Sequence, residues 1–370
     1  KLLLDEPDLL LLDEPTNYLD IFSIKWLQNF LHNWKKELIL ITHDRFFMDS
    51  IISHTIYIHR KTVRKIEGNS KKLLNLIKKE EDIYESTRVN QVKDRKRKEE
   101  WIKRFQSKAT LASRAQSRVK MLEKEVVLEK LNYDENLNFH FNYLLYKSKK
   151  SMIEVENIRF GYSSKNILIN DLTFKINKGD KVCVIGKNGK GKSTLLKLLV
   201  GEEKIISGSI TNNLLETGYF GQMNIDRLNS ELTIYEELYK SANNKNETEI
   251  RKTCAQVMFK GDTVEKKIGV LSGGEKSRVM LGKILLKNVN FLILDEPTNH
   301  LDMYSAESFM KAVNKFEGAV LLVTHDEKFI KQIANKLIIF DRNKVFVFNG
   351  GYDDFIKKIG WQETISEQVN

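Results

Sequence analysis

Lys181-Val-Cys-Val-Ile185-Gly186-Lys187-Asn188-Gly189-Lys190-Gly191-Lys192-Ser193 decides the fold. The stretch from Lys181 to Ile185 has the length and apolar content of a strand buried in a parallel sheet. It runs into G-x-x-x-x-G-K-S, where Gly186, Gly189 and Gly191 free the backbone to turn its N–H groups, that of Asn188 among them, around a phosphate chain. Lys192 supplies a positive charge for the β- and γ-phosphates, and Ser193 a hydroxyl that can hold Mg²⁺. Thr194-Leu-Leu-Lys-Leu-Leu199 then continues as a helix whose N-terminus faces the anion. A glycine-rich turn alone would carry little weight. Strand, loop and helix in this order point to nucleotide binding in an α/β domain.

A second buried strand, Leu292-Ile-Leu294, ends in Asp295-Glu296. An acidic pair at a strand end is by itself more often a solvated loop. Beside a phosphate loop, however, Asp295 is placed to support Mg²⁺ and Glu296 to orient and deprotonate an attacking water. About twenty residues earlier, Leu271-Ser272-Gly273-Gly274-Glu275 opens a helix expected to run through Arg278 to Leu286. Glycines and a serine at a helix N-terminus form another place for an anion, so a nucleotide is expected to sit between two modules.

A second module is indeed written into the chain. Leu9-Leu-Leu-Leu-Asp13-Glu14-Pro15-Thr16-Asn17-Tyr18-Leu19-Asp20 recurs as Phe291-Leu-Ile-Leu-Asp295-Glu296-Pro297-Thr298-Asn299-His300-Leu301-Asp302, displaced by 282 positions. Thr42-His43-Asp44 recurs as Thr324-His325-Asp326, and Gly68 as Gly350, at the same displacement. The expected organisation is therefore the C-terminal part of a first module over 1–68, a helical linker over 69–150, a complete module over 151–350 and a tail over 351–370. The same register would start the first module about 130 residues before Lys1, so an N-terminal truncation is expected.

Composition sets the class of protein. Hydrophobic residues make up 41% and charged residues 30%, which suits a soluble folded chain, and no run approaches the roughly 20 uncharged residues of a membrane helix. Two isolated cysteines, Cys183 and Cys254, suit a reducing compartment, so the cytoplasm is expected. The net charge of +11 is local: from Lys93 to Lys120 there are eleven Lys and Arg against Asp94, Glu99 and Glu100. Leu111, Ala115, Val119, Leu122 and Val126 fall on one helical face, and a helix from about Leu73 to Phe105 would pack against it as an antiparallel hairpin that turns over Ser107 to Thr110. Most charge runs are solvated faces. Here Lys96, Arg97, Lys103, Arg104, Lys108, Arg114 and Arg118 flank the hairpin tip without balancing acids, which suits contact with a phosphate backbone.

The phosphate loop, the acidic strand and Leu271-Ser-Gly-Gly-Glu275 together resemble the ATP-binding-cassette family, in which two modules face head to tail and the signature of one covers ATP on the phosphate loop of the other. The resemblance implies that Tyr162, in Phe160-Gly-Tyr, stacks on adenine. It also implies that Gln222, in Gly218-Tyr-Phe-Gly-Gln222, lies near Mg²⁺ and the water, and that His325 contacts the γ-phosphate. Glu14 and His43 are the matching residues of the first module. Two cassettes without a membrane span, Thr-Asn-x-Leu-Asp in both, and the linker from Trp101 to Glu123 are similar to the ABC-F family; Tyr18, where the second half has His300, departs from the commoner family residue.

That resemblance implies an ATPase whose cassettes close on ATP and reopen on hydrolysis. It also implies a ribosomal E-site partner with rRNA contacts, and a linker near P-site tRNA. Each composite site needs a part from upstream of Lys1, so the chain alone is expected to bind ATP weakly and hydrolyse it poorly. Competing readings are the energy-coupling subunit of a membrane transporter, a DNA-binding factor in repair or transposition control, and a resistance member of the same family.

Overall fold

Alternating side chains of each apolar run are buried on opposite faces, which is why these runs become strands rather than helices. The computed structural model describes residues 7–17, 19–59, 62–105, 112–125, 127–128, 139–163, 166–213, 215–221, 225, 227–242, 246–299, 301, 303–341 and 344–361. It divides into two units, Lys1–Ser50 with Leu137–Asn370, and Ile51–Asn136.

In chain order, β1 (Leu9–Asp13), α1 (Ile21–His32), β2 (Glu37–Ile41), α2 (Arg45–Ile51), β3 (His54–His59) and β4 (Thr62–Glu67) precede the helices α3 (Ser70–Phe105) and α4 (Ala112–Lys124). There follow β5 (Asn142–Tyr143), β6 (Ile153–Ser163), β7 (Asn166–Ile176), β8 (Lys181–Gly186), α5 (Lys192–Leu199), β9 (Ser207–Asn212), β10 (Thr217–Phe220), α6 (Ile234–Ser241), α7 (Glu247–Gln256) and α8 (Gly273–Leu285). The chain closes with β11 (Asn288–Val289), β12 (Phe291–Asp295), α9 (Met303–Lys315), β13 (Ala319–Val323), α10 (Glu327–Ile333), β14 (Lys336–Asp341), β15 (Lys344–Asn349) and α11 (Tyr352–Lys358).

The larger unit is built on a six-stranded sheet of order β10-β12-β13-β8-β14-β15, parallel except for β15, with a second, antiparallel sheet of order β7-β6-β9. Val182, Val184, Phe291, Ile293, Leu321 and Val323 face one core with α5 and the antiparallel sheet. Their sequence neighbours Cys183, Ile185, Leu292, Leu294, Val320 and Leu322 face the other, with residues of α6, α7, α8 and α9. Covering both faces is what a parallel sheet requires. On the second face Phe309 is fully buried and lies edge-on to Phe139, Phe141 and Phe329, with ring centroids 6.1, 5.8 and 6.3 Å away. Further along the chain Tyr352, Phe355 and Trp361 are buried in the same core, so residues 352–361 pack back onto the unit.

The 282-residue repeat is reproduced in three dimensions. β1 and β2 pair in parallel as β12 and β13 do, with Asp13 opposite Ile41 and Asp295 opposite Val323. The Glu14 N–H donates to Ile41 O at 2.8 Å, and the Glu296 N–H to Val323 O at 2.9 Å. Asp44 Oδ1 caps the Phe47 N–H at 3.0 Å, as Asp326 Oδ1 caps that of Phe329 at 3.0 Å. The copies differ in what covers them. Leu9, Leu11, Ile39 and Ile41 are 49, 62, 48 and 58% exposed, whereas their equivalents Phe291, Ile293, Leu321 and Val323 are at most 1% exposed.

In the smaller unit β3 and β4 pair antiparallel, His54 opposite Glu67, the register of Lys336 opposite Asn349 in β14 and β15. α3 and α4 lie against one another. The Arg118 guanidinium sits 3.9 Å over the Trp101 ring, Lys98 Nζ is 3.3 Å from Glu125 Oε1, and the Leu128 N–H donates to Gln91 Oε1 at 3.0 Å. Partners that rise along one segment as they fall along the other make the pairing antiparallel. Ala115 and Leu122, on the apolar face expected from their spacing, are buried. Leu111, Val126 and the expected turn over Ser107 to Thr110 lie outside the described residues.

Because Phe309 anchors three aromatic rings, Phe309→Ala is expected to cost about 3–5 kcal/mol. Urea denaturation followed by fluorescence would measure it, and a loss under 1 kcal/mol would show that the cluster is not a packing centre.

Candidate functional site

β8 delivers the phosphate loop from the middle of the sheet, so the loop is fixed by a strand buried along its whole length. Gly186 has φ +144°, and a β-carbon there would lie 2.3 Å from the Phe340 carbonyl oxygen on β14. Gly191 opens α5 at φ +104°, a backbone conformation that L side chains rarely adopt. The buried Lys192 ammonium donates to Gly186 O at 2.8 Å, Lys187 O at 2.9 Å and Asn188 Oδ1 at 3.1 Å. Burial lowers its pKa, while the carboxylates of Glu296, Asp20 and Asp295 pull the other way.

The acidic side comes from the end of β12. Burial raises the Asp295 pKa, partly offset by its hydrogen bond with the Ser193 side chain and by the charge of Lys192. Two hard oxygen donors side by side fit Mg²⁺, which takes one or two protein ligands and completes its shell with water and phosphate oxygens. Among the described residues no group of three His, Cys, Asp or Glu could hold a metal unaided.

Glu296 turns back from the strand at φ +48°. Burial, then the charge of Asp295, push its pKa up to about 8. His325 Nε2 lies 3.3 Å from Glu296 Oε1, and burial followed by repulsion from Lys192 lowers its pKa to about 4. At neutral pH the contact therefore joins a neutral imidazole to a largely protonated carboxyl, and it is not an ion pair. Glu296 Oε1 is buried with no aligned hydrogen-bond partner. Once deprotonated, a carboxylate of raised pKa with an unsatisfied oxygen is a stronger proton acceptor for a water held nearby.

Tyr162, Asn188, Gly189, Gly191, Lys192, Ser193, Thr194, Asp295, Glu296 and His325 line one open cleft of about 330 Å³. Tyr162 is at its mouth, 61% exposed, with its hydroxyl 3.4 Å from Thr194 Oγ1, so its ring is free to stack on a flat ligand. Ser272, Gly273, Gly274 and Glu275 are not among the lining residues. They form the N-terminus of α8, where the Ser272 hydroxyl accepts from the Glu275 N–H at 3.3 Å and the Glu275 carboxylate from the Ser272 N–H at 2.8 Å. Gln222 lies outside the described residues. Glu14 and His43 stand 3.5 Å apart in the first copy and line a second pocket, together with Glu296 and His325.

Asp20 has a role not foreseen from the sequence. Its Oδ1 accepts from the Ser23 N–H at 2.9 Å, capping α1, and its Oδ2 accepts from the phosphate-loop N–H of Asn188 at 2.9 Å. Burial works against the charge of Asp20, yet these backbone hydrogen bonds hold its pKa below the ordinary value. The first copy thereby grips the second copy's loop directly. The signal was present, since Asp20 closes the duplicated Thr-Asn-x-Leu-Asp, but duplication does not say what a residue touches.

Of the basic residues, Lys96, Arg97, Lys103, Arg104, Arg114 and Arg118 are exposed in the smaller unit, and Lys108 lies outside the described residues. Asp94 pairs with Lys98 at 2.8 Å and Glu99 with Arg95 at 3.2 Å, so these two acids are bound to other cations. Lys96, Arg97, Lys103 and Arg104 make no ion pair among the described residues.

Two family profiles, both described as ABC transporter, match residues 169–299 and 56–141. ATP-binding cassette sub-family F member 3 of Homo sapiens is 33% identical over 352 residues, 94% of this chain and 49% of that protein. ABC transporter F family member 2 of Arabidopsis thaliana is 35% identical over 364 residues, 97% of this chain and 53% of that protein. The chain belongs to the ABC-F family. It spans about half the length of the relatives it matches. A bacterial Atm1-family ABC exporter with ATP bound superposes with a TM-score of 0.50 at 18% identity over 69% of this chain and 46% of that one, a likeness of fold alone. Among the described residues of this ABC-F chain no helix is long and apolar enough to cross a membrane.

The raised pKa of Glu296 has a consequence for stability. A carboxyl that binds its proton more tightly when folded stabilises the fold while protonated, and that contribution is lost as pH rises toward about 8. His325, with a lowered pKa, works in the opposite sense only between about 4 and 6.5. Between pH 6.5 and 8, Glu296→Gln is therefore expected to gain roughly 1 kcal/mol on the wild type in unfolding free energy. Denaturation at the two pH values would give equal differences if Glu296 were an ordinary carboxylate.

Proposed function

We propose that this ABC-F chain carries the nucleotide-binding machinery of an ATPase that acts on the ribosome, opening and closing two cassettes as ATP is bound and hydrolysed. The observation that carries the reading is the single cleft joining Lys192, Ser193, Asp295, Glu296 and His325. In it Lys192 and the loop N–H groups bind the β- and γ-phosphates, Ser193 and Asp295 hold Mg²⁺ with Gln222 beside it, and Tyr162 stacks on adenine. Glu296 orients the water and, in its deprotonated form, takes its proton, and His325 contacts the γ-phosphate. Glu14 and His43 do the same for a second nucleotide, which Ser272-Gly273-Gly274-Glu275 covers. ATP favours the closed state because it touches both cassettes only there.

Charge and family support a ribosomal partner. Lys96, Arg97, Lys103, Arg104, Arg114 and Arg118 give the helical pair a cationic surface, and with Lys108 of the same charge run they suit rRNA and P-site tRNA, with the closed cassettes in the ribosomal E site of a cytoplasmic ribosome. The open face formed by Leu9, Leu11, Ile39 and Ile41 supports a need for further upstream sequence to complete the first cassette and, with it, both ATP sites. A transporter subunit is less well supported, because such a subunit has no use for the cationic helices. A ribosome-protecting resistance factor would share every residue named.

Lys103→Glu/Arg104→Glu is expected to weaken ATP-dependent co-sedimentation with purified ribosomes at least tenfold while leaving ATP binding unchanged. Equal binding by duplex DNA at physiological salt, or recovery with a detergent-extracted membrane partner, would remove the ribosomal reading. Lys192→Ala should abolish ATP retention by the chain in equilibrium dialysis; full retention would place the nucleotide elsewhere.

A further inference from the structure

The repeat makes position 25 equivalent to 307 and position 45 equivalent to 327. The structure joins these positions crosswise. Lys25 Nζ lies 3.1 Å from Glu327 Oε1, and Arg45 Nη1 lies 2.7 Å from Glu307 Oε1. The same two positions thus meet twice, as in a two-fold interface where residue i touches j and j touches i. Charge breaks the symmetry, because both cations are on the first copy and both anions on the second.

The Arg45 contact is partly buried on both sides, whereas in the Lys25 contact the lysine is 43% exposed and only its partner is largely covered. Arg45 and Glu307 side chains are 16% and 33% exposed, and Glu327 is 16% exposed. The Arg45 guanidinium also lies 5.8 Å over the Tyr304 ring, and its Nε and Nη2 are buried without hydrogen bonds, so Glu307 is its ionic partner. Lys328 Nζ approaches the same Glu307 at 3.3 Å and moderates its charge without reversing it. The pocket between the copies is lined by matched groups, Glu14 with Glu296, His43 with His325 and Asp44 with Asp326, which do not tell one copy from the other.

We infer that this exchanged charge makes the paired surface selective for an unlike copy. Two second copies brought together from different molecules would place Glu307 against Glu327 twice, and two first copies would place Lys25 against Arg45 twice. Like charges brought together in a partly desolvated interface oppose that pairing, whereas the unlike pairing gains both contacts. The surface acts as a sorting device that prevents a two-fold ATPase face from closing on its own duplicate. It rests on the interface alone and is independent of the partner proposed above.

The test uses the whole 370-residue chain. Glu307→Lys removes the Arg45 contact and at the same time turns the second-copy pairing from repulsive to attractive. It is expected to lower the melting temperature and to strengthen self-association at least tenfold over wild type in sedimentation equilibrium. Exchange of all four charges, Lys25→Glu/Arg45→Glu/Glu307→Lys/Glu327→Lys, restores both internal contacts and the repulsion between like copies, and should return both readings to wild type. In 1 M salt, where the Debye length is about 3 Å, the differences should shrink. Glu327→Lys alone repeats the comparison at the more exposed contact. Self-association of both single variants at the wild-type level, or a fourfold exchange that associates as strongly as the singles, would overturn the inference.

Discussion

One buried ammonium stands against three carboxylates at the centre of the molecule, and much of the architecture serves that imbalance. Lys192 is tied to its own loop by three acceptors, while Asp20, Asp295 and Glu296 approach it from two different copies of the repeat. Each carboxylate meets the shortage of positive charge differently. Asp20 keeps its charge through two backbone N–H groups, Asp295 shares a hydrogen bond with Ser193, and Glu296 takes up a proton. This arrangement needs a sheet stiff enough to keep four ionisable groups together, and the doubly covered strands β8, β12 and β13 provide it.

The repeat was the most legible part of the chain. A fixed displacement with matching motifs foretold matching strands, turns and caps, down to the paired N–H groups of Glu14 and Glu296, because local backbone geometry follows local residue type. The cleft was legible for a similar reason: a phosphate loop and an acidic strand end fix their own side chains within a few residues of the ends of interior strands. Tyr162, Ser193, Asp295 and His325 all line it.

What sequence did not convey was who meets whom across the repeat. Nothing in Thr-Asn-x-Leu-Asp says that Asp20 reaches Asn188, because the motif records a local turn and the contact is set by packing between segments 168 residues apart. The same holds for Phe139 and Phe141. Their spacing of two suggests one face of an extended segment, but only the fold places that face against Phe309. The charge run was visible, yet which acids neutralise which bases depended on helix register: Asp94 and Glu99 reach Lys98 and Arg95 and leave the neighbouring Lys96 and Arg97 exposed.

The crosswise ion pairs also bear on how such a duplicated gene keeps two distinct halves. Tandem copies tend to be made alike by recombination between them, and most motifs here would tolerate it because they are already the same. A conversion tract that overwrote positions 307 and 327 with the residues of 25 and 45 would set cation against cation at both contacts and loosen the molecule. The two short side-chain pairs therefore impose a heritable polarity on the chain, so that each half drifts under constraint from the other and the order first-then-second stays readable.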